Sequence, residues 1–501
     1  MKKLLSVGLS VGLLYQPPLS ALVAVAPAAH QGPEIVDDST QSIQQTIASS
    51  KAQAAATSSY QAPISHRVGM MAAKSNPKRT YEIGAGWLRL QIVREFDDYR
   101  QNPDNYDWST FDEQIDGLAG RILMATFRTY SGEKHGNVTY FVSDTAAGRA
   151  QRDIFLDFIR KMARRYKGKI LYYQLGNELN LGFQWPTDKR DQLGDLFMKF
   201  AAAVKGPNQD PGAKTTIGGL GLGDGYAKKS FNIRKETYLE ILKPVADAAK
   251  ADVDVLDVHF HSNWKDADIL PERIGQFRKI LSEVGLQNKP VVFTENSTWI
   301  GTDNANQDRA EFPLQQPWQQ ASFLLRSIYL GLALGNVDSV TVGDSSDKSL
   351  SSGKNWRPIV NSVFYNSRTQ YNLGAPMSGA KPAALIARLA AELTQESVPA
   401  DFSIVANPPA DTKIVRVSGS NPHIVIWSTR SGVSERTVAI TDVTGEWDVL
   451  EPIVDTLAQW PLQDPIAMAQ SGTTTAANGE IKVKLKYRRP VIFVKKTVSV
   501  R

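Results

Sequence analysis

From about residue 63 onward, short apolar runs alternate with stretches of helical periodicity, and the pattern repeats eight times. The runs are Arg67–Ala72, Trp87–Val93, Arg121–Phe127, Ile170–Leu175, Thr215–Leu220, Val255–Phe260, Pro290–Thr294 and Val337–Val342. Between and after them lie helical segments: Trp108–Leu118, Ala147–Tyr166, Arg190–Val204, Lys235–Ala249, Pro271–Val284, Gln319–Gly331 and Ala383–Leu393. Apolar runs without strict polar alternation suit parallel strands buried on both faces. Eight such strands with helices between them close into a (β/α)8 TIM barrel, here expected over 63–397.

The texture changes after 398. Ile414–Val417, Ile424–Trp427, Thr437–Ile440, Ile481–Leu485 and Val491–Lys495 are short strands between polar turns, which predicts a smaller antiparallel β domain of sandwich type over 398–501. At the other end, Lys2 and Lys3 precede the apolar stretch Leu4–Tyr15 and an Ala- and Val-rich stretch from Leu19 to Ala29, with small residues near Ala26-Pro27-Ala28. This reads as a signal peptide over 1–28 and places the chain outside the cytoplasm, in the periplasm or beyond. The prolines at 17 and 18 break the apolar run, so no stable membrane span is expected. Residues 29–62, rich in Gln, Ala, Ser and Thr, read as a linker.

In a parallel barrel, chemistry gathers where strands end and βα loops begin. The fourth run leads into Gly176-Asn177-Glu178, and the seventh ends on Thr294-Glu295-Asn296. Counting by two places Glu178 with Gly176 and Gln174, and Glu295 with Phe293 and Val291, so that each carboxylate reaches the barrel mouth. Paired carboxylates there can cleave a glycosidic bond: one gives a proton to the leaving oxygen, the other attacks or stabilises the anomeric carbon. The chain has no cysteine, which excludes disulfides, thiolate metal sites and a cysteine nucleophile. The sixth run ends Asp257-Val258-His259-Phe260-His261, with both histidines on one face. His-x-His also occurs at metal sites, but no third histidine or carboxylate stands at a suitable spacing along the chain. No metal and no cofactor is therefore expected.

The Gly-Asn-Glu and Thr-Glu-Asn strand ends resemble those of clan A glycoside hydrolases, and the chain is most similar to family 39 and its relatives, among them xylosidases and exopolysaccharide hydrolases. Gly86-Trp87-Leu88-Arg89, followed by Tyr106-Asp107-Trp108 and Asp112, extends the resemblance, which covers residues 66 to 375. It implies a retaining hydrolase with Glu178 as general acid/base and Glu295 as nucleophile. Asn177 would bind the hydroxyl beside the anomeric carbon, Arg89 would sit beneath Glu295, and His259 and His261 would bond the nucleophile and the sugar. The eighth run departs from the resemblance: it ends on Gly343-Asp344 where many clan members carry a Trp.

Trp185, Trp264 and Trp299 each follow a strand end and, with Tyr226, are expected to stack on sugar rings. The expected partner is a polysaccharide or oligosaccharide. The formal charge of +6 admits an acidic one, while the scattering of the basic residues argues against nucleic acid. The alternative is a non-hydrolytic polysaccharide-binding or assembly protein built on the same barrel.

Overall fold

The structure is a computed structural model that describes residues 64–71, 77–128, 145–180, 185, 187–222, 235–298, 315–344, 380–431, 435–454 and 464–496. The expected signal peptide and linker lie outside the described residues. Eight parallel strands form a closed barrel in chain order. They are β1 (Ser65–Met71), β2 (Ala85–Gln91), β3 (Ile122–Phe127), β4 (Tyr172–Leu175), β5 (Lys214–Gly221), β6 (Val255–His261), β7 (Val291–Ser297) and β8 (Val337–Asp344). β8 pairs with β1, which leaves no free sheet edge.

Helices return the chain between strands: α1 (Pro77–Ile83), α2 (Val93–Gln101), α3 (Ser109–Asp116), α4 (Ala146–Arg165), α5 (Leu193–Lys205), α6 (Lys235–Ala249), α7 (Leu270–Glu283), α8 (Pro317–Leu332) and α9 (Pro382–Leu393). The second apolar run was expected to continue to Val93, but Val93 opens α2. The helix is amphipathic and buries Asp97 and Tyr99. None of the described helices is long and apolar enough to cross a membrane.

Outward-facing strand residues such as Tyr173, Leu175, Val258, Val291 and Phe293 join the helices in one large apolar core. The barrel interior has its own apolar floor of Trp87, Met124, Tyr172, Val255 and Val292. Two residues further along each of those strands stand Arg89, Thr126, Gln174, Asp257 and Thr294, all fully buried. The interior therefore turns from apolar to polar towards the C-terminal ends of the strands, the end at which barrels of this type do their chemistry.

The C-terminal region is antiparallel, as expected. β9 (Phe402–Ile404), β10 (Thr412–Val417), β11 (His423–Ser428), β13 (Glu446–Leu450), β14 (Gln470–Thr475) and β16 (Val491–Lys495) make one sheet. β12 (Arg436–Thr441) and β15 (Glu480–Leu485) make a second. Ile424, Ile426, Val491 and Phe493 of the large sheet pack on Val438, Ile440, Ile481 and Val483 of the small one, which gives the sandwich. The other face of the large sheet, through Val415, Val425, Trp427 and Ile492, joins the barrel's own core. Strands β9, β13 and β14 and the one-turn helix α10 (Pro465–Ala469) were not expected from the sequence.

Candidate active site

Glu178 and Glu295 meet at the barrel mouth, though neither gets there by counting in twos. β4 ends at Leu175, and the loop that follows bends through left-handed backbone at Gly176 (φ 85°) and Glu178 (φ 49°). Left-handed backbone is uncommon for a glutamate. The Glu178 amide donates to Gly219 O at 3.0 Å, and the Asn180 side chain exchanges two 3.1 Å bonds with the Gly221 backbone. These contacts tie the loop to β5. Gly218 and Gly219 permit this close approach: a Cβ on Gly218 would run into Gly176 O, and one on Gly219 (φ 52°) into the His259 ring.

Glu295 is turned by a bulge. β6 and β7 pair Val258 with Phe293, but His259 with Glu295, so Thr294 is the extra residue. Phe293 faces outward, within reach of Gly331 on α8, and an unbroken alternation would send Glu295 the same way. The bulge directs Glu295 inward instead.

Arg89 rises from the floor beside it. Its guanidinium donates to Glu295 Oε1 at 2.5 Å, to Asn177 Oδ1 at 2.6 Å and to Gln174 Oε1 at 2.8 Å. Its Nε also meets Thr126 Oγ1 at 3.0 Å. This fork holds Glu295 and orients Asn177 so that the amide nitrogen is left to donate. From β6, His261 Nε2 lies 3.0 Å from Glu295 Oε2, and His261 Nδ1 lies 2.7 Å from Ser297 Oγ.

His259 stands between the two glutamates, its Nδ1 3.1 Å from Glu178 Oε1 and 3.8 Å from Glu295 Oε1. Its Nε2 reaches Thr294 Oγ1 at 3.2 Å, and Thr294 in turn donates to Asp257 Oδ2 at 2.6 Å. Burial opposes a charge on His259, but Glu295, Asp257 and Glu178 outweigh it and raise the pKa to about 9. Burial likewise opposes ionisation of Glu295. His259, His261 and Arg89 outweigh that too and hold its carboxyl well below the usual range. At neutral pH the imidazolium and guanidinium thus flank an ionised Glu295.

Three comparisons bear on this arrangement. No protein-family model and no curated protein sequence matches the chain. Solved structures do match it. Several of these are glycoside hydrolases, and what they share with this chain is the barrel fold. A family 39 glycoside hydrolase from Bacteroides cellulosilyticus aligns over 87% of this chain and 81% of its own, with a TM-score of 0.58 and 15% identity. A GH30 endoxylanase from Clostridium papyrosolvens aligns over 88% and 98%, with a TM-score of 0.52 and 13% identity. A GH51 arabinofuranosidase from Xanthomonas axonopodis pv. citri aligns over 83% and 88%, with a TM-score of 0.51 and 12% identity. At these identities the likeness is one of fold.

Of the ten residues singled out in the sequence, the structure brings six together: Glu178, Glu295, Asn177, Arg89, His259 and His261. The tryptophans need correction. Trp185 is fully buried and its indole donates to Lys189 O at 2.9 Å. Trp264 is 5% exposed and packs against Trp318 and Tyr487, with the guanidinium carbons of Arg326 and Arg488 5.9 and 5.7 Å from its ring. Both are core residues, and neither offers an open ring face to a sugar. Trp299 and Tyr226 lie outside the described residues.

The sequence reading passed over Thr126, Gln174, Asp257, Thr294, Ser297 and the Gly218-Gly219 pair, all of which hold the groups above. The Gly-Gly doublet inside an apolar strand was the available signal, since such a pair marks close backbone approach. The argument against a metal also needs correction. Glu178, His259, His261 and Glu295 each offer a ligand atom within 4.8 Å of the others. They come from three different strand ends, which spacing along the chain cannot reveal.

Proposed function

We propose that the chain is an exported retaining glycoside hydrolase acting on a polysaccharide or oligosaccharide, with Glu295 as nucleophile and Glu178 as acid/base. The observation that carries this reading is the convergence of the two carboxylates at the barrel mouth, where one oxygen of each lies within 4.8 Å of the other. Carboxyl groups about 5–5.5 Å apart suit double displacement, whereas inversion needs about 6.5–9.5 Å to admit a water. The likeness in fold to solved glycoside hydrolases supports the same reaction class. Export rests on the apolar, Ala-rich N-terminal segment behind Lys2 and Lys3.

In the first half-reaction an oxygen of Glu295 attacks the anomeric carbon while Glu178 gives its proton to the departing oxygen. The carbon–oxygen bond of the glycoside breaks and a glycosyl ester on Glu295 forms. Water then attacks the same carbon, Glu178 takes its proton, and the ester bond breaks to free Glu295. The low pKa of Glu295 keeps the nucleophile charged. Arg89 and His261 fix its two oxygens, so that attack needs little reorganisation. Asn177, its carbonyl held by Arg89, presents its amide nitrogen to the hydroxyl beside the reacting carbon.

The test is covalent trapping. A panel of 2-deoxy-2-fluoro glycosides with activated leaving groups is incubated with the protein. The expected result is a mass increase of one fluoro-glycosyl unit, mapped to the peptide bearing Glu295 and absent from Glu295→Gln. A label that maps elsewhere, or full hydrolysis of the natural glycan by Glu295→Gln, would show the assignment to be wrong.

A further inference from the structure

We propose that the four side chains at the mouth also form a binding site for a single zinc-class divalent cation, and that its occupancy shuts the catalytic centre. The effect on turnover rests on the glycosidase reading above; the binding does not.

Distances come first. His259 Nδ1 to Glu178 Oε1 is 3.1 Å, His259 Nδ1 to Glu295 Oε1 is 3.8 Å, and His261 Nε2 to Glu295 Oε2 is 3.0 Å. A tetrahedral ion bound by nitrogen and oxygen at about 2.0–2.1 Å has ligand–ligand edges of about 3.4 Å. Three separations thus fall near that edge, to one or other oxygen of Glu295, and one ligand atom from each of the four groups lies within 4.8 Å of the rest, so an ion would draw the four in by modest side-chain shifts.

The outer contacts add a second argument. Histidines that ligate metals usually hold their other ring nitrogen against a carboxylate, hydroxyl or carbonyl, which fixes the tautomer and the ring's direction. Both histidines here are held in that manner. His259 Nε2 rests on Thr294 Oγ1, itself bonded to Asp257, and His261 Nδ1 rests on Ser297 Oγ. Each ring therefore turns its remaining nitrogen towards the glutamates.

Charge and access agree. An incoming ion displaces the proton on His259 Nδ1 and the one that Glu178 holds as the acid, after which three carboxylates, those of Glu178, Glu295 and Asp257, face the guanidinium of Arg89. Arg89 occupies Oε1 of Glu295, while Oε2 faces His261. The side chains of Glu178, Glu295 and His261 are 20%, 14% and 13% exposed, which leaves the ion a way in from solvent. Two imidazoles with two carboxylates suit zinc, whereas magnesium and calcium favour all-oxygen cages. A bound ion would occupy oxygens of both the acid/base and the nucleophile, so it and a reacting glycoside exclude each other.

The test uses the full chain, stripped with a chelator and dialysed, then titrated calorimetrically with zinc chloride. One equivalent is expected to bind, with no heat from magnesium or calcium. His261→Asn should weaken zinc by about a hundredfold or more, and Ser297→Ala, which removes only an outer contact, by about tenfold. Thermal melts without zinc establish that both variants are folded; should His261→Asn fail, Ser297→Ala carries the comparison alone. Zinc should abolish hydrolysis in step with binding, and chelator should restore it. No binding, or binding unaltered in both variants, overturns the site. Hydrolysis that requires zinc overturns the shut-off. A chelated protein that cleaves no glycoside would sink the glycosidase reading, while the titration still decides whether the site exists.

Discussion

Acid should loosen this protein through one buried histidine remote from the site. His423 opens β11 and is 1% exposed. Its Nδ1–H donates to Asn421 O at 2.7 Å, which leaves Nε2 to accept from the Tyr329 hydroxyl of α8 at 3.0 Å. Both nitrogens are satisfied by a neutral ring. Burial lowers the pKa of His423 from 6.5 to about 4, although the Asn421 carbonyl favours the charged form. Below about pH 6.5 the unfolded chain takes up a proton that the folded chain refuses until about pH 4. Stability is therefore complete above 6.5 and drains away as the pH falls between those two values. At 1.36 kcal/mol per pKa unit the loss at pH 4 approaches about 3 kcal/mol.

Other groups titrate in the same range, so the informative quantity is a difference. Urea denaturation of the wild type and of His423→Gln, run at pH 4, 5, 6 and 7, gives it. The stability of the wild type relative to the variant should shrink by about 3 kcal/mol from pH 7 to pH 4, with little change above 6.5. A difference that stays constant across the range, or that grows in acid, would refute the claim that the ring is held neutral between the β sandwich and α8.

Two further outcomes follow from the site's supports. Arg89→Lys keeps a positive charge but loses the fork that reaches Glu295, Asn177 and Gln174 together, so kcat/KM on an aryl glycoside should fall about a hundredfold while the fold survives. Gly219→Ala forces a methyl group against His259 in left-handed backbone, and should lower stability by about 1–3 kcal/mol and abolish turnover. The exposed helical Gly275, with nothing near its Cβ position, is the control: Gly275→Ala should gain about 0.5–1 kcal/mol and leave kcat unchanged, as read by melting and steady-state rates.

The barrel was legible because parallel strands covered by helices must be apolar on both faces. All eight appear as short, mostly apolar runs with helical periodicity between them. Strand β14 was not legible for the opposite reason. Gln470–Thr475 is largely exposed, so burial leaves no pattern in it, and only pairing with β13 makes it a strand. The tryptophans misled because an aromatic just past a strand end reads the same whether it turns into the core, as Trp185 and Trp264 do, or out to a sugar. Glu178 and Glu295 were found by their neighbours in sequence, Gly-Asn and Thr, while the stated geometry failed. A left-handed loop and a bulge aim them, and neither departure shows in a count by two.

The polar layer beneath them follows that count strictly. On five strands the chain steps by two residues from floor to polar layer: Trp87 to Arg89, Met124 to Thr126, Tyr172 to Gln174, Val255 to Asp257 and Val292 to Thr294. One polar residue at such a position would be a buried cost. Five at one level can satisfy one another, and here they do: Arg89 donates to Gln174, Gln174 and Thr294 to Asp257, and Thr126 to Gln174. Each of the five thus has a partner within the layer, which offsets the cost of burying it. Regularity is thus the rule in the supporting layer and irregularity in the layer it supports. The regular ring gives Arg89 and His259 rigid footing, and the two backbone departures above it bring the glutamates to that footing from different strands.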